Sequence, residues 1–253
     1  MLPEERRSEL VDLINERHGC SVEELAAALE VSKATIRRDL RELSEDNLIE
    51  RTHGGAMPVV DQPKSYDVRA IRNREGKEAI AERAAREVHR DQLVYFDSGT
   101  TTEPIVDHLS ADMEVVAVTN GALNAIKLVE SGLQTYLVGG MFWTDNNAIA
   151  GSWTEERIAD LNLDLVFLST EGVEPDGLTT RNPRQSGVKS QMIESSRRVV
   201  LVADRAKFNE EHFVKFAEPG NVDMLITDGV VPEDIRESFE AAGVDLVENL
   251  REA

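Results

Sequence analysis

A single cysteine, Cys20, stands in 253 residues, so internal disulfides are excluded and a cysteine-based metal site lacks partners. Aromatics make up only 5% of the chain and proline occurs 8 times. No stretch approaches the roughly eighteen consecutive apolar residues of a membrane span. Met1 to Arg7 (MLPEERR) leads straight into an amphipathic pattern without the apolar core of an export signal. A cytosolic protein with no membrane partner is therefore expected. Lysine is scarce too, with 7 against 21 arginines, and 48 acidic residues outweigh 28 basic ones to leave a net charge of -20. That balance excludes a uniformly basic nucleic-acid binder. The apolar share of 41% equally excludes a disordered polyanion and implies at least one sizeable core, as one large domain with or without a small appendage. Few lysines, few aromatics and abundant carboxylates together suggest adaptation to a cytosol of molar salt, where hydrated carboxylates keep the surface soluble.

Residues 1–57 read as a small helical unit. Leu10, Leu13 and Ile14 form an apolar helical face, closed by His18-Gly19. Ser21 and Glu24 have the spacing of a capping box for a second helix, whose inward face is Val22, Leu25, Ala26 and Leu29. After the turn Glu30-Val31-Ser32, Ser32 is the natural N-cap of a third helix to about Glu45, with Ile36, Leu40 and Leu43 as its buried stripe. Leu48 to Ala56 then reads as a strand turning at Gly54-Gly55. Helix, helix, turn, helix, hairpin is a winged helix-turn-helix pattern. Residues 58–75 look like a linker running into an Arg-rich helical stretch that includes Arg69, Arg72, Arg74, Lys77, Arg83 and Arg86. Residues 76–253 alternate short apolar runs with helical patterns. The runs Leu93–Phe96, Val115–Val118, Thr135–Val138, Leu165–Leu168, Val199–Val202, Met224–Ile226 and Val244–Val247 are the expected strands of a mainly parallel α/β sheet.

On the third helix Lys33, Arg37 and Arg41 recur every four residues, about opposite the apolar stripe, with Arg38 beside them and Ser32 and Thr35 in the first turn. From Ser32 to Arg41 four cations against Asp39 leave +3, whereas residues 1–56 carry 8 basic and 13 acidic residues. Positive charge is thus confined to one surface, as a recognition helix for double-stranded DNA requires: one side anchored, the other presenting guanidinium forks to guanine edges or phosphates. A solvated helix face would show similar spacing, but the capped preceding helix, short turn and hairpin favour DNA. Arg51 and His53 on the hairpin are candidates for phosphate or minor-groove contact. The segment LAAALEVSKATIRRDLRELSEDNLIERTHGGA, Leu25 to Ala56, closely resembles the signature of the DeoR family of transcriptional regulators, through its TIRRDL core and terminal HGGA. With the acidic, Arg-rich composition it looks like a haloarchaeal member of the glycerol-3-phosphate regulon repressor type.

In the second part, distinctive residues follow several strands: Asp97-Ser98-Gly99-Thr100-Thr101-Thr102, Asn120-Gly121, Gly139-Gly140, Thr170-Glu171-Gly172 and Asp204. Open α/β sheets bind ligands at the carboxyl ends of their strands, so these loops form a candidate site. DSGTTT is a hydroxyl-rich turn opening a helix, suited to a phosphate, and without a following Gly-Lys-Ser/Thr it is no nucleoside triphosphate loop. Asp97 also suits a helix N-cap, and the two roles are compatible. Lys189 and Lys207, retained in a chain that favours arginine, are candidate point charges for a phosphate or sugar oxygen. DSGTTT, VTNGAL, LVGG, GVKSQMI and ADRAKF resemble the DeoR sensor domain. That resemblance implies a fold similar to ribose-5-phosphate isomerase and a phosphorylated-sugar or glycerol 3-phosphate effector. Ser169-Thr170-Glu171-Gly172-Val173 departs from the family's usual Gly-Ala-Asp-Gly-Ile type of run.

The leading expectation is a sequence-specific repressor of sugar or glycerol catabolic genes, relieved by a phosphorylated metabolite and assembled as a homodimer or homotetramer to match paired half-sites. The rival is an isomerase-like enzyme with a DNA-binding appendage, for which Glu171 or Asp97 would serve as base. The five histidines have no metal-ligand spacing, so neither a metal, a cofactor nor catalytic residues are expected. RNA binding is disfavoured because no aromatic stacking platform is evident.

Overall fold

Two compact units, Met1–Arg74 and Glu75–Ala253, divide the chain. The computed structural model describes residues 2–17, 19–45, 48–52, 54–57 and 66–250.

In the first unit, α1 (Pro3–Glu16) is followed by β1 (Cys20–Ser21), α2 (Val22–Ala28), α3 (Lys33–Glu45), β2 (Glu50–Arg51), β3 (Gly55–Met57) and α4 (Tyr66–Ile71). The Ser21 hydroxyl accepts from Glu24 N at 3.2 Å while Ser21 N donates to the Glu24 carboxylate at 2.8 Å, so both ends of the capping box close. Ser32 Oγ accepts from Thr35 N at 3.1 Å and starts α3. Leu10, Ile14, Leu25, Ile36, Leu40 and Leu43 are buried together in one core. The hairpin is the outer part of a three-stranded sheet in the order β1-β3-β2. A Cβ added to Gly55 would lie 2.0 Å from the Cys20 carbonyl oxygen, so only glycine lets β3 approach β1 this closely.

The segment read as a linker contains helix α4 among its described residues. Ser8 of α1 donates to the Ile71 carbonyl at 2.6 Å, and the Asp12 carboxylate accepts from Asn73 N at 3.3 Å. Ile71 also packs against the helical core, so the segment after residue 65 belongs to the first unit.

The second unit follows as α5 (Arg74–Ala85), β4 (Leu93–Phe96), β5 (Val116–Thr119), α6 (Ala122–Glu130), β6 (Gln134–Leu137), β7 (Met141–Trp143), β8 (Ala148–Ala150), α7 (Ser152–Ala159) and β9 (Leu165–Ser169). It continues with β10 (Gly172–Glu174), β11 (Gly177–Thr180), α8 (Pro183–Glu194), β12 (Val199–Val202), β13 (Val214–Ala217), β14 (Met224–Ile226), α9 (Glu233–Ala241) and β15 (Asp245–Val247). Seven strands form one sheet in the order β15-β14-β12-β9-β4-β5-β6, and every neighbouring pair is parallel. These are the seven apolar runs.

Along β14, β12, β9, β4 and β5 both faces are covered, so these strands show no polar alternation, whereas the edge strand β6 is largely exposed. Along β9, Leu165 and Phe167 join Ile80 and Ala84 of α5, whereas Val166 and Leu168 join Val188 and Met192 of α8. Two small antiparallel sheets were not legible as runs: the hairpin β7-β8, and β10-β11-β13 beyond the carboxyl end of β9. Among the described residues no helix is long and apolar enough to cross a membrane.

Candidate nucleic-acid interface and candidate effector site

Helix α3 turns Ile36, Leu40 and Leu43 inward and leaves Lys33, Arg37, Arg38 and Arg41 exposed, with Ser32 exposed and Thr35 half-buried at its start. Asp39 is buried as well, held by the Arg6 guanidinium through Nε at 2.7 Å and NH2 at 3.2 Å. This bidentate pair fixes α3 on α1 and removes the only carboxylate between Lys33 and Arg41 from the outer face. Other carboxylates engage the cations: Lys33 pairs with Glu23, Arg38 with Glu42 at 3.1 Å and Arg41 with Glu45 at 3.9 Å. Arg37 has no ion-pair partner among the described residues. Arg51 is exposed on β2. His53 lies outside the described residues.

At the carboxyl ends of β4, β5 and β9, neighbours in the middle of the large sheet, polar side chains converge on Asp97. Its carboxylate accepts from Ser98 N at 2.8 Å, from Ser169 N at 2.9 Å, from Ser169 Oγ at 2.6 Å and from the Lys189 ammonium. Asp97 and Lys189 are 1% and 5% exposed, a buried ion pair. Burial works to raise the Asp97 carboxyl, but the Lys189 charge and the hydrogen bonds from Lys189 and Ser169 outweigh it and hold the group below its ordinary range. Lys189 also donates to the Ser169 carbonyl at 2.8 Å and stands 5.7 Å over the Phe216 ring.

The hydroxyl-rich turn differs from expectation in form. It opens a 3-10 turn, Glu103–His108, rather than an α-helix, and two of its amides are occupied: Ser98 N by Asp97, Gly99 N by Thr102 Oγ1 at 3.1 Å. Asp97 therefore caps no helix; it anchors the turn to β9 and α8. Thr100, Thr101 and Thr102 are buried. Thr100 Oγ1 accepts from Lys77 Nζ of α5 at 3.1 Å, and this lysine is 3% exposed. Asn120 Nδ2 donates to the Ile149 carbonyl at 3.0 Å and lies 3.5 Å from Ser98 Oγ; its Oδ1 is buried without a partner among the described residues.

The remaining predicted residues lie around this cluster in different settings. Glu171 turns its carboxylate to Thr180 Oγ1 at 2.8 Å and Arg181 N at 2.7 Å. Gly172 packs against the chain, since a Cβ there would sit 1.7 Å from the Glu210 carbonyl. Gly139 and Gly140 are exposed, and Gly140, at φ +154, is closed in by Thr154. Asp204 follows β12 and caps the turn Arg205–Lys207 through Ala206 N at 3.0 Å, with Lys207 half-buried in that turn. No group of three or more His, Cys, Asp or Glu among the described residues could hold a metal ion.

Comparison with known proteins agrees with this two-part geometry. Residues 6–61 match the DeoR-like helix-turn-helix domain and residues 72–229 the DeoR C-terminal sensor domain. The chain belongs to the DeoR family of transcriptional regulators. Among its relatives, the HTH-type transcriptional regulator GlpR of Haloferax volcanii is 42% identical, over 99% of each chain. The HTH-type transcriptional repressor GlcR of Bacillus subtilis is 31% identical over 98% of this chain and 96% of its own. The glycerol-3-phosphate regulon repressor of Escherichia coli is 32% identical over 91% and 93%. Ribose 5-phosphate isomerase from Plasmodium falciparum aligns over 52% of each chain at 13% identity with a TM-score of 0.38, a likeness too slight to carry argument.

Within the DeoR frame, three neighbours of Asp97 and its loop were not singled out from the sequence as site residues: Lys77, Ser169 and Asn124, whose Nδ2 donates to the Asp97 carbonyl at 2.8 Å. Lys77 offered a signal, as one of 7 lysines in an arginine-favouring chain. Ser169 offered another, as the first residue of the run that departs from the family's Gly-Ala-Asp-Gly-Ile pattern. Its hydroxyl joins Asp97 to Lys189, which a glycine could not do.

Proposed function

We propose that this DeoR-family chain is a cytoplasmic repressor of sugar or glycerol catabolic genes that binds operator DNA through α3 and is released by a phosphorylated sugar or glycerol 3-phosphate. The observation that carries this reading is the two-sidedness of α3: an apolar stripe and a buried Asp39–Arg6 pair on one side, four exposed cations on the other. Arg37, unpaired among the described residues, is the strongest candidate for a base edge. Lys33, Arg38, Arg41 and Arg51 supply phosphate or base contacts, and Ser32 and Thr35 set the first turn at the groove.

The effector binds at the carboxyl ends of β4, β5 and β9. Thr100, Thr101 and Lys77 receive the phosphate, while Asn120 and the Asp97–Lys189–Ser169 cluster read hydroxyl groups. A release mechanism requires the effector to favour the DNA-incompetent state by about 1–3 kcal/mol of coupling energy. Two half-sites on DNA call for at least a homodimer.

We propose no enzymatic turnover. A general base works best with a pKa near the operating pH. Asp97 is held below its ordinary range by Lys189 and Ser169, and Glu171 is engaged by Thr180 and Arg181. The relatives' names, GlpR, GlcR and glycerol-3-phosphate regulon repressor, support the regulatory reading.

The test is selection of bound duplexes from a random pool in molar KCl, followed by competition with glycerol 3-phosphate and ketohexose phosphates. One enriched motif, released by one of these compounds without its conversion, is the expected result. No enrichment, or turnover of the compound, overturns it.

A further inference from the structure

The segment from Val115 to Thr144 is anomalous for this chain. It holds only two charged residues, Lys127 and Glu130, where an overall charged share of 30% would give about nine. Lys127 is itself neutralised by Asp107 at 2.7 Å and Glu103 at 3.6 Å. The same segment builds the edge of the seven-stranded sheet, β6, together with α6 and β7. Here large apolar side chains face solvent: Ile126 at 57% and Val129 on α6, Tyr136 at 56% and Leu137 on β6, Phe142 on β7, and Trp153 at 74% on α7.

These elements meet at one sheet edge, β6, with α6 on the side Leu137 faces and α7 on the side Tyr136 faces. Helix α6 lies against β6. Ala122 N at its start donates to the Asn147 carbonyl at 3.1 Å, and Gly121 bridges to Ala148 of β8, the partner strand of β7. Thr154, next to Trp153, donates to the Gly139 carbonyl at 3.1 Å, joining α7 to the turn between β6 and β7.

We propose that this edge of the sensor unit, centred on α6 and β6, is the surface on which a second copy of the chain docks about a two-fold axis. At roughly 200 Å² for a large side chain, the six exposed residues amount to on the order of 700 Å². Divided between the two sides of the β6 edge, that area approaches the roughly 800 Å² per partner of a standard interface when an edge-on partner covers both sides. The occupant follows from charge. A basic partner would seek the acidic surface that fills the rest of the molecule, whereas two copies at -20 each can meet only where charge is missing. The unpaired edge of β6 is a liability that self-association covers, and a two-fold axis brings the same apolar patch to both sides. The proposal deepens the assembly invoked for operator binding by naming its surface.

Sedimentation velocity of the full chain in molar KCl tests it. The wild type should sediment at twice 28.1 kDa or a higher multiple, and Ile126→Glu/Val129→Glu, with both positions already in solvent, should sediment as a single chain that still unfolds cooperatively on heating. Trp153→Glu, on a different helix, should weaken association independently, and Phe213→Glu, at an exposed position outside the patch, should not. A wild type of single-chain mass overturns both this surface and the dimeric operator complex. Wild-type mass in both patch variants overturns the surface alone. Selection of an operator motif is read separately, so failure of the regulatory reading remains distinguishable.

Discussion

Lys189 donates to Asp97 across 92 residues of sequence, and the two meet almost fully buried, with Ser169 bonded to both. The pair joins α8 to the carboxyl end of β4 and aligns the hydroxyl-rich turn against β9. In a low-dielectric setting such a pair is coupled: its members are far more costly to remove singly than together.

Lys189→Met should therefore cost about 3–5 kcal/mol of stability, because it leaves a buried carboxylate unpaired, and Asp97→Asn/Lys189→Met should recover part of that loss. Urea midpoints in molar KCl measure both. The pH dependence has a definite sign. The folded-state Asp97 carboxyl lies below its ordinary value, so its contribution is complete above the ordinary aspartate range near pH 4 and fades as pH falls through the folded value. Equal costs for the single and double variants would refute the coupling.

Much of the architecture could be read from sequence for physical reasons. A doubly covered parallel sheet makes each strand a continuous apolar run, so Val199–Val202 and Leu165–Leu168 announced themselves, and the capping residues Ser21 and Ser32 marked helix starts. Strands β10, β11 and β13 were not legible because GVE, GLTT and VKFA owe their pairing to tertiary contact rather than to pattern. For the site, the turn at Asp97 and Lys189 were visible as residue types. Their mutual pairing and the approach of Lys77 from α5 depend on the folded chain bringing distant segments together.

Lys77 is the residue on which the phosphate reading is most exposed to test. Its ammonium is buried against Thr100, and Lys77→Met keeps the length of the side chain while removing the charge. We expect the effector to lose about 1.5–3 kcal/mol of binding, the range for a hydrogen bond to a charged group. The fold should remain cooperative. Titration calorimetry with glycerol 3-phosphate and ketohexose phosphates reads the change; unaltered affinity for whichever compound binds would place the phosphate elsewhere.

The wing offers a contrast between adjacent glycines. Gly55→Ala drives a Cβ into the Cys20 carbonyl, and overpacking of this kind costs about 1–3 kcal/mol. Gly54→Ala meets nothing within 4 Å. The first variant should lower the melting temperature and weaken operator binding, the second should do neither, and matching melting curves for the two would contradict the packing.

Glu174 sits among carboxylates. Burial first, then Glu211, Asp176, Asp234 and Glu210, raise its carboxyl above the ordinary glutamate value. A raised carboxyl favours the protonated form, so stability is lost as pH rises through the folded value, and added salt should offset part of that loss at neutral pH by screening the cluster. Glu174→Gln should narrow the gap in melting temperature between about 0.2 M and about 2 M KCl, roughly one and thirteen times physiological ionic strength. An unchanged gap would show that this cluster does not couple stability to salt.

On α3 the outward cations meet competitors before they meet DNA. Glu23 holds Lys33, and this contact must open for the lysine to reach a phosphate. Both side chains are more than half exposed, so the pair is weak and screened by salt. Glu23→Gln should tighten operator binding about two- to fivefold near 0.1 M salt, and the gain should vanish in molar KCl, where the Debye length is about 3 Å. Arg37→Ala, removing a side chain that makes no ion pair among the described residues, should weaken specific binding at both salt concentrations, because a base-edge contact survives screening. Anisotropy titrations of the four combinations separate the roles. If Arg37→Ala lost its effect in molar salt, Arg37 would be a phosphate contact and sequence reading would rest on Arg38 or Arg41.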